Sequence, residues 1–209
     1  MPTKKFALER EGPKRLEVEW KGAYREVYIR WDGDLVRQVL RAELEQGFEL
    51  AVPDGTVVWF GLKGAGVFGS AKVLTLHLSD GTPVPGSADD PVEAGKQAGY
   101  GLYLLAALNA FCGVYAMATG SEELAAAGIG IGSLVMALIF GVLGLFTMRG
   151  SRIALGIAIG LYGLDWIMGV VFGVMGGGGA PNVGGIFMRI AILTFLVRSF
   201  TTMGRGSRD

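Results

Sequence analysis

The sequence has little of the chemistry that most enzymes need. Its 209 residues include one cysteine and one histidine, so an intrachain disulfide is excluded and a typical zinc site cannot be assembled. Basic and acidic residues number 19 each, which leaves no net field for nucleic acid. The first residues also lack the apolar run of a signal peptide. These absences favour a protein that is not an enzyme and uses no cofactor, metal or identified small-molecule substrate.

Charged residues are scarce in the C-terminal half. Between positions 97 and 197, six of 101 residues are charged: Glu122, Glu123, Arg149, Arg152, Asp165 and Arg189. A helix needs about 20 apolar residues to cross a bilayer, and four segments meet that length: 99–119, 124–148, 153–175 and 183–203. We therefore predict a membrane protein with a four-helix transmembrane bundle in the lipid bilayer, followed by a tail at 204–209.

The positions of the basic residues predict the orientation of the bundle. Arg149 and Arg152 lie between the second and third segments, Arg205 and Arg208 follow the fourth, and Lys96 precedes the first. Basic residues in short loops stay on the cytoplasmic side. Both termini and the polar N-terminal half are therefore expected in the cytoplasm.

Two opposite charges lie inside the apolar segments. At about 1.5 Å per residue, Asp165 is roughly 18 Å and Arg189 roughly 21 Å from the inner face, with Asn109 at roughly 15 Å. Because charges at that depth are costly, we predict an Asp165–Arg189 contact inside the bundle, which Asn109 can join. The pair can fix helix register, move ions or protons, or bind a lipid headgroup or another subunit.

Small residues recur at spacings of three and four in the apolar segments. Such spacing lets helix backbones approach closely in lipid. The predicted packing residues are Gly128 and Gly132 in the second segment, and Gly156, Gly160, Gly163, Gly169 and Gly173 in the third.

Residues 1–88 are predicted to form an all-β domain. The runs 15–20, 26–31 and 72–78 alternate polar and apolar residues, and 48–52 and 56–62 flank Pro53-Asp54-Gly55 as a hairpin. Short strands at this spacing favour an antiparallel sandwich or a small barrel. The run 36–46 fits either a helical turn or a bent strand. Residues 89–98 are predicted as an extended linker.

Two polar motifs in this domain favour structural interpretations. Gly64–Gly69 matches G-x-G-x-x-G, but an alternating strand follows instead of the helix that a dinucleotide site requires. We interpret it as a hairpin loop. The single histidine, His77, is predicted to be exposed on the face opposite Leu74, Leu76 and Leu78.

Three turn motifs resemble a family of small, uncharacterised bacterial membrane proteins that have an N-terminal β-rich domain and C-terminal transmembrane helices. They are Trp31-Asp32-Gly33, Leu50-Ala51-Val52-Pro53-Asp54-Gly55 and residues 80–87. The resemblance implies a multi-pass protein of the bacterial cytoplasmic (inner) membrane and lends no activity. The leading hypothesis is a non-enzymatic scaffold or accessory subunit, whose β domain binds a cytoplasmic partner and whose glycine-rich helix faces pack on other membrane subunits or on a second copy. The alternative is a small transporter or channel that uses Asp165 and Arg189.

Overall fold

The computed structural model describes residues 1–65, 71–120, 130–175 and 183–205. Contacts divide the chain into two compact units, Met1–Glu93 and Ala94–Asp209. The first unit contains an antiparallel four-stranded sheet, a short helix and an antiparallel three-stranded sheet. Its elements are β1 (Thr3–Phe6), β2 (Leu16–Lys21), β3 (Glu26–Trp31), β4 (Asp34–Leu40), α1 (Arg41–Gln46), β5 (Phe48–Ala51), β6 (Val57–Ala65) and β7 (Ala71–Leu78).

The two sheets contribute to one hydrophobic core. The apolar side chains that alternate along β2 and β3 face this core, and so do those along β6 and β7. Most of them are buried, while Trp20, Leu62 and Leu78 are partly buried at its margin. The cluster includes Leu16, Val18, Val27, Ile29, Val58, Phe60, Leu74 and Leu76. The predicted antiparallel β domain is thus confirmed, and it consists of two sheets.

Aspartate and glycine shape the hairpin turns. Thr56 N–H donates a 2.9 Å hydrogen bond to Asp54 Oδ1, and Thr82 N–H donates a 2.8 Å bond to Asp80 Oδ1. Gly55 has a φ of +88°, a backbone angle that residues with a Cβ rarely adopt. The turn residues therefore fold locally, as Asp-Gly pairs do between strands.

The ambiguous run at 36–46 contains both of the structures considered for it. Strand β4 ends at Leu40 and α1 begins at Arg41. Leu44 on α1 is fully buried in the core, while Arg41 and Glu45 form an exposed ion pair one turn apart. One apolar side chain on a polar helical turn is enough to fix this segment on the core.

The predicted extended linker at 89–98 is wrong for most of its length, because a helix begins at Pro91. Asp90 Oδ1 accepts a 3.0 Å hydrogen bond from Val92 N–H, which caps the helix. Proline suits the first helical position because its missing N–H would have no partner there. The prolines at 83 and 85 suggested an extended chain, but Asp90-Pro91 is a helix start.

The second unit contains four helices among the described residues. They are α2 (Pro91–Thr119, whose first turn spans the unit boundary), α3 (Ile131–Met148), α4 (Arg152–Met175) and α5 (Val183–Arg205). Within the described ranges, three helical segments are long and apolar enough to cross a membrane: Pro91–Thr119, Ile131–Met148 and Ile186–Gly204. Residues 124–129 of the predicted second segment lie outside the described part of the chain.

The outer surface of this unit is apolar. Phe111, Leu138 and Ile153 are 69%, 70% and 78% exposed. A buried cluster that includes Leu102, Phe140, Leu155 and Leu196 holds the helices together. Apolar exposure on this scale is typical of helices that face lipid and not water.

Candidate functional site

Asp165 and Arg189 lie side by side on neighbouring helices. Arg189 Nη1 of α5 is 3.9 Å from Asp165 Oδ2 of α4, and the side chains are 39% and 55% exposed. The distance is that of a loose ion pair, longer than a charge-assisted hydrogen bond. The two groups therefore neutralise each other while both stay open to a further ligand, a lipid or another chain.

The helical positions of the pair match the buried faces of their helices. Asp165 follows Tyr162 by three residues, and Tyr162 follows Leu155 by seven; both of these are buried. Arg189 precedes the buried Leu196 by seven residues. Residues at these spacings share one face of a helix. Asp165 and Arg189 thus lie on the same helix faces as the buried core residues. They are closer to the Met175 end of α4, where the core no longer covers them.

Asn109 occupies the equivalent face of α2. It follows the buried Leu105 by four residues, and its Nδ2 donates a 2.9 Å hydrogen bond to the Leu105 carbonyl oxygen. Within the described residues, the recorded partner of Asn109 is therefore its own helix backbone and neither member of the ion pair. Asn109 lies on the core-facing side of α2, which it shares with Leu105.

The predicted packing glycines are only partly used within the chain. A Cβ built on Gly156 would lie 3.4 Å from the Phe200 ring, whereas Cβ atoms at Gly132, Gly160 and Gly163 would meet no atom of the described part of the chain within 4 Å. Gly128 lies outside the described residues. The side-chain surroundings of Gly169 and Gly173 lie outside the described part of the chain.

Other glycines make the close helix contacts. A Cβ on Gly144 of α3 would lie 3.3 Å from the Gly99 carbonyl oxygen and 3.3 Å from Leu102 Cβ, and one on Gly95 would lie 3.2 Å from the Thr147 carbonyl oxygen. The α2 and α3 backbones therefore approach closely at these glycines. The four-residue spacing of Gly95 and Gly99 was a visible signal, but Gly95 lay in the predicted linker and Gly99 at the start of the predicted segment 99–119.

A charged cluster on the β domain was missed by the sequence analysis. Asp89 Oδ1 accepts a 2.8 Å hydrogen bond from Lys63 Nζ, and Asp89 Oδ2 lies 3.4 Å from His77 Nε2. His77 Nδ1 lies 3.2 Å from the Gly81 carbonyl oxygen. The prediction of an exposed His77 is therefore wrong: its side chain is 25% exposed. The residue that covers it, Asp89, comes from beyond the next turn.

The electrostatics of this cluster favour its charged form. The hydrogen bond with His77, followed by that of Lys63, lowers the pKa of the Asp89 carboxyl to about 2. The hydrogen bond with Asp89 raises the pKa of His77 above its ordinary value. Each group thus stabilises the ionised form of the other.

A groove of about 200 Å³ opens beside this cluster, and its lining includes Glu49, Trp59 and His77. Glu49, Trp59 and His77 are cross-strand neighbours on β5, β6 and β7. The Trp59 indole lies against Gly47, where a Cβ would be 2.6 Å from Cζ2. Glycine at that position lets the ring lie flat along the sheet.

The glycine motif at residues 64–69 ends a strand and precedes another. Gly64 pairs with Lys72 and Ala65 with Ala71 across the antiparallel strands β6 and β7. Residues 66–70 lie outside the described part. A strand and not a helix follows the motif, so the helix N-terminus that binds pyrophosphate in dinucleotide sites is replaced by β7.

No family model, curated protein or solved structure matches this chain. The structure has the order of domains that the resemblance implied, a β domain followed by apolar helices.

Removing one charge of the pair should cost more stability than removing both. Asp165→Leu leaves Arg189 without its counter-ion, whereas Asp165→Leu combined with Arg189→Met removes both charges. The coupling energy should be about 0.5–3 kcal/mol, measured by reversible unfolding in lipid nanodiscs. Arg198→Met, near the end of α5, serves as the control for loss of one positive charge. Strictly additive effects of the two substitutions would mean that the pair contributes nothing to the fold.

Proposed function

We propose that this chain is a non-enzymatic integral membrane scaffold or accessory subunit. Its β domain binds a cytoplasmic partner, and its glycine-rich helix faces pack on helices of other subunits or of a second copy. The open glycines of α4 carry the proposal: among the described residues, nothing lies within 4 Å of a Cβ at Gly160 or Gly163.

The position of these glycines on α4 supports an external neighbour. Gly160 is two residues from Tyr162, which places it about 200° away from the buried face around the helix. It lies among the exposed side chains Ile157 and Leu164. A notch in an otherwise bulky apolar ridge leaves room for a second helix to approach closely. Within the chain, the corresponding space at Gly144 is already filled by α2.

The proposal includes four membrane spans: the three apolar helices named above and, in addition, α4. Its 24 residues extend about 36 Å, enough to cross a hydrocarbon core of about 30 Å. Arg149 and Arg152 flank the short α3–α4 turn, so that turn and both termini are assigned to the cytoplasm by the positive-inside rule. Together with the family resemblance, this supports the bacterial cytoplasmic membrane.

A small transporter or channel is the second candidate, and the exposure of the ion pair favours it. Asp165 and Arg189 lie on core-facing stripes yet are 55% and 39% exposed. Ionisable groups that line a path through a bundle have this combination of inward position and access. In this alternative, Asp165 and Arg189 contact the transported ion or proton.

Gly160→Leu should weaken association with other helices and leave the chain folded. We expect a loss of about tenfold in affinity, equivalent to 1.4 kcal/mol, because the side chain fills the space that a neighbouring helix needs. Pull-down from mild detergent, followed by light scattering of the recovered complex, measures it.

Gly144→Leu is the matched control. Its side chain meets Gly99 and Leu102 inside the chain, so it should lower the stability of the chain itself by about 1–3 kcal/mol. If the wild-type chain is recovered alone, as a monomer, the scaffold proposal fails.

Asp165→Asn tests the second candidate. If Asp165 lies on an ion path, proteoliposomes with this variant should show flux reduced roughly tenfold or more, since the charge that offsets Arg189 is lost. Proton flux is read with an internal pH dye and chloride flux with a chloride-sensitive dye, with Gly160→Leu as the variant that should keep wild-type flux. Wild-type flux equal to that of empty liposomes, or unaltered by Asp165→Asn, would exclude this function.

A further inference from the structure

Residues 82–90, which we call the strap, are attached to the outer edge and face of the three-stranded sheet. Leu78 N–H donates to the Thr82 carbonyl at 2.8 Å, and Val84 N–H donates to the Leu76 carbonyl at 2.9 Å. Val84 is fully buried. At its far end the strap reaches Asp89, whose carboxylate lies between Lys63 and His77. The strap ends immediately before Pro91, the first residue of α2.

Both ring nitrogens of His77 face hydrogen-bond acceptors. Nδ1 lies 3.2 Å from the Gly81 carbonyl oxygen and Nε2 lies 3.4 Å from Asp89 Oδ2. A neutral imidazole has one N–H and one lone pair, so it can donate to only one of them. The imidazolium donates to both. The observed geometry is therefore satisfied only when His77 is protonated.

The charges around His77 come from each element packed against it. Asp89 of the strap stabilises the imidazolium, Lys63 of β6 opposes it, and Glu49 of β5 lies across the same groove. Trp59 contributes an uncharged ring, 5.6 Å from the imidazole. Loss of the proton would leave Lys63 as the remaining cation on Asp89 and place a nitrogen lone pair against the Gly81 carbonyl or the carboxylate.

We propose that the strap is a pH-sensitive fastener: protonated His77 holds residues 82–90 on the β5–β6–β7 sheet, and deprotonation loosens them. This inference rests on the β domain alone and is independent of the proposed function. The adjacent Asp90 has a different partner, Arg10, at 3.7 Å. Because the Arg10 guanidinium keeps its charge across the range in which histidine titrates, that contact does not depend on the His77 proton and provides an internal reference.

The direction of the pH dependence follows from the two shifts. The hydrogen bond with Asp89 raises the folded-state pKa of His77 above 6.5. Its stabilisation is therefore complete below that ordinary value and is lost as pH rises through the raised one. The Asp89 pKa of about 2 keeps the carboxylate ionised across this window, and its contribution is lost only as pH falls from about 3.8 toward 2. The strap should thus be fastened below pH 6.5 and loosen as pH rises through the raised pKa of His77.

Hydrogen exchange and histidine NMR on the full chain in nanodiscs test this. His77 is the only histidine, so selective ¹⁵N labelling of histidine, with a purification tag that lacks histidine, reports its titration without assignment. We expect protection of the Val84, Ser87 and Asp90 amides, corrected for intrinsic rates, to fall about tenfold as pH rises from 6 to 9. Its midpoint should coincide with the His77 titration, and β2 and β3 amides should not change.

Two variants separate the fastener from general stability. His77→Gln should give weak strap protection that does not vary between pH 6 and 9, while Arg10→Gln should lower protection at every pH and keep the wild-type slope. Wild-type protection that is flat with pH, a His77 titration at or below 6.5, or a pH slope retained in His77→Gln would each overturn the proposal. The NMR titration of the wild-type chain decides the matter even if His77→Gln does not fold.

Discussion

The inability of bilayer hydrocarbon to solvate polar groups is the constraint on which the C-terminal half of this protein depends. Every backbone N–H and C=O in lipid must be paired inside its own segment, which favours continuous helices. The same constraint explains why large apolar side chains such as Phe111 and Leu138 cover the outside. Lipid removes the hydrophobic drive between helices, so close backbone approach at Gly99 and Gly144 replaces it. Asp165 and Arg189 then need each other, since lipid offers neither a partner.

In the N-terminal half, apolar side chains are buried in a core, as in proteins that fold in water. There, alternating side chains bury one face of each sheet, and one shared core that includes Leu16 and Phe60 results. Charged side chains near the end of this half, including the buried Asp90, hold segments together through specific partners. The Asp89 contacts with Lys63 and His77, and the Asp90 contact with Arg10, hold the strap at the point where the β domain gives way to α2. Two acidic side chains, Asp89 and Asp90, thus hold the strap, the last segment before α2.

How much could be predicted from the sequence depended on whether the cause was local. Strands β2 and β3 followed from alternation, and the Asp54 and Asp80 turns from side chains that bond two residues ahead. The facing positions of Asp165 and Arg189 followed from rise per residue. In contrast, the partial burial of His77 was missed. Asp89, which lies against it, is brought back to the sheet by the backbone hydrogen bond between Val84 and Leu76. The glycine contacts at Gly95 and Gly99 were missed because the first turns of α2, from Pro91 on, were taken as a linker, which separated Gly95 from the helix that contains Gly99.

We propose that residues 99–203 cross the membrane four times, with both termini in the cytoplasm. Cysteine accessibility tests it directly, because replacing Cys112 by alanine leaves a chain with no other thiol. Single cysteines at Ser121, Ser151, Asn182 and Ser207 report the four helix ends in turn. An impermeant maleimide should label Ser121→Cys and Asn182→Cys in intact cells, and Ser151→Cys and Ser207→Cys only after permeabilisation. Labelling of Ser151→Cys in intact cells, or protection of Asn182→Cys, would contradict the four-span arrangement.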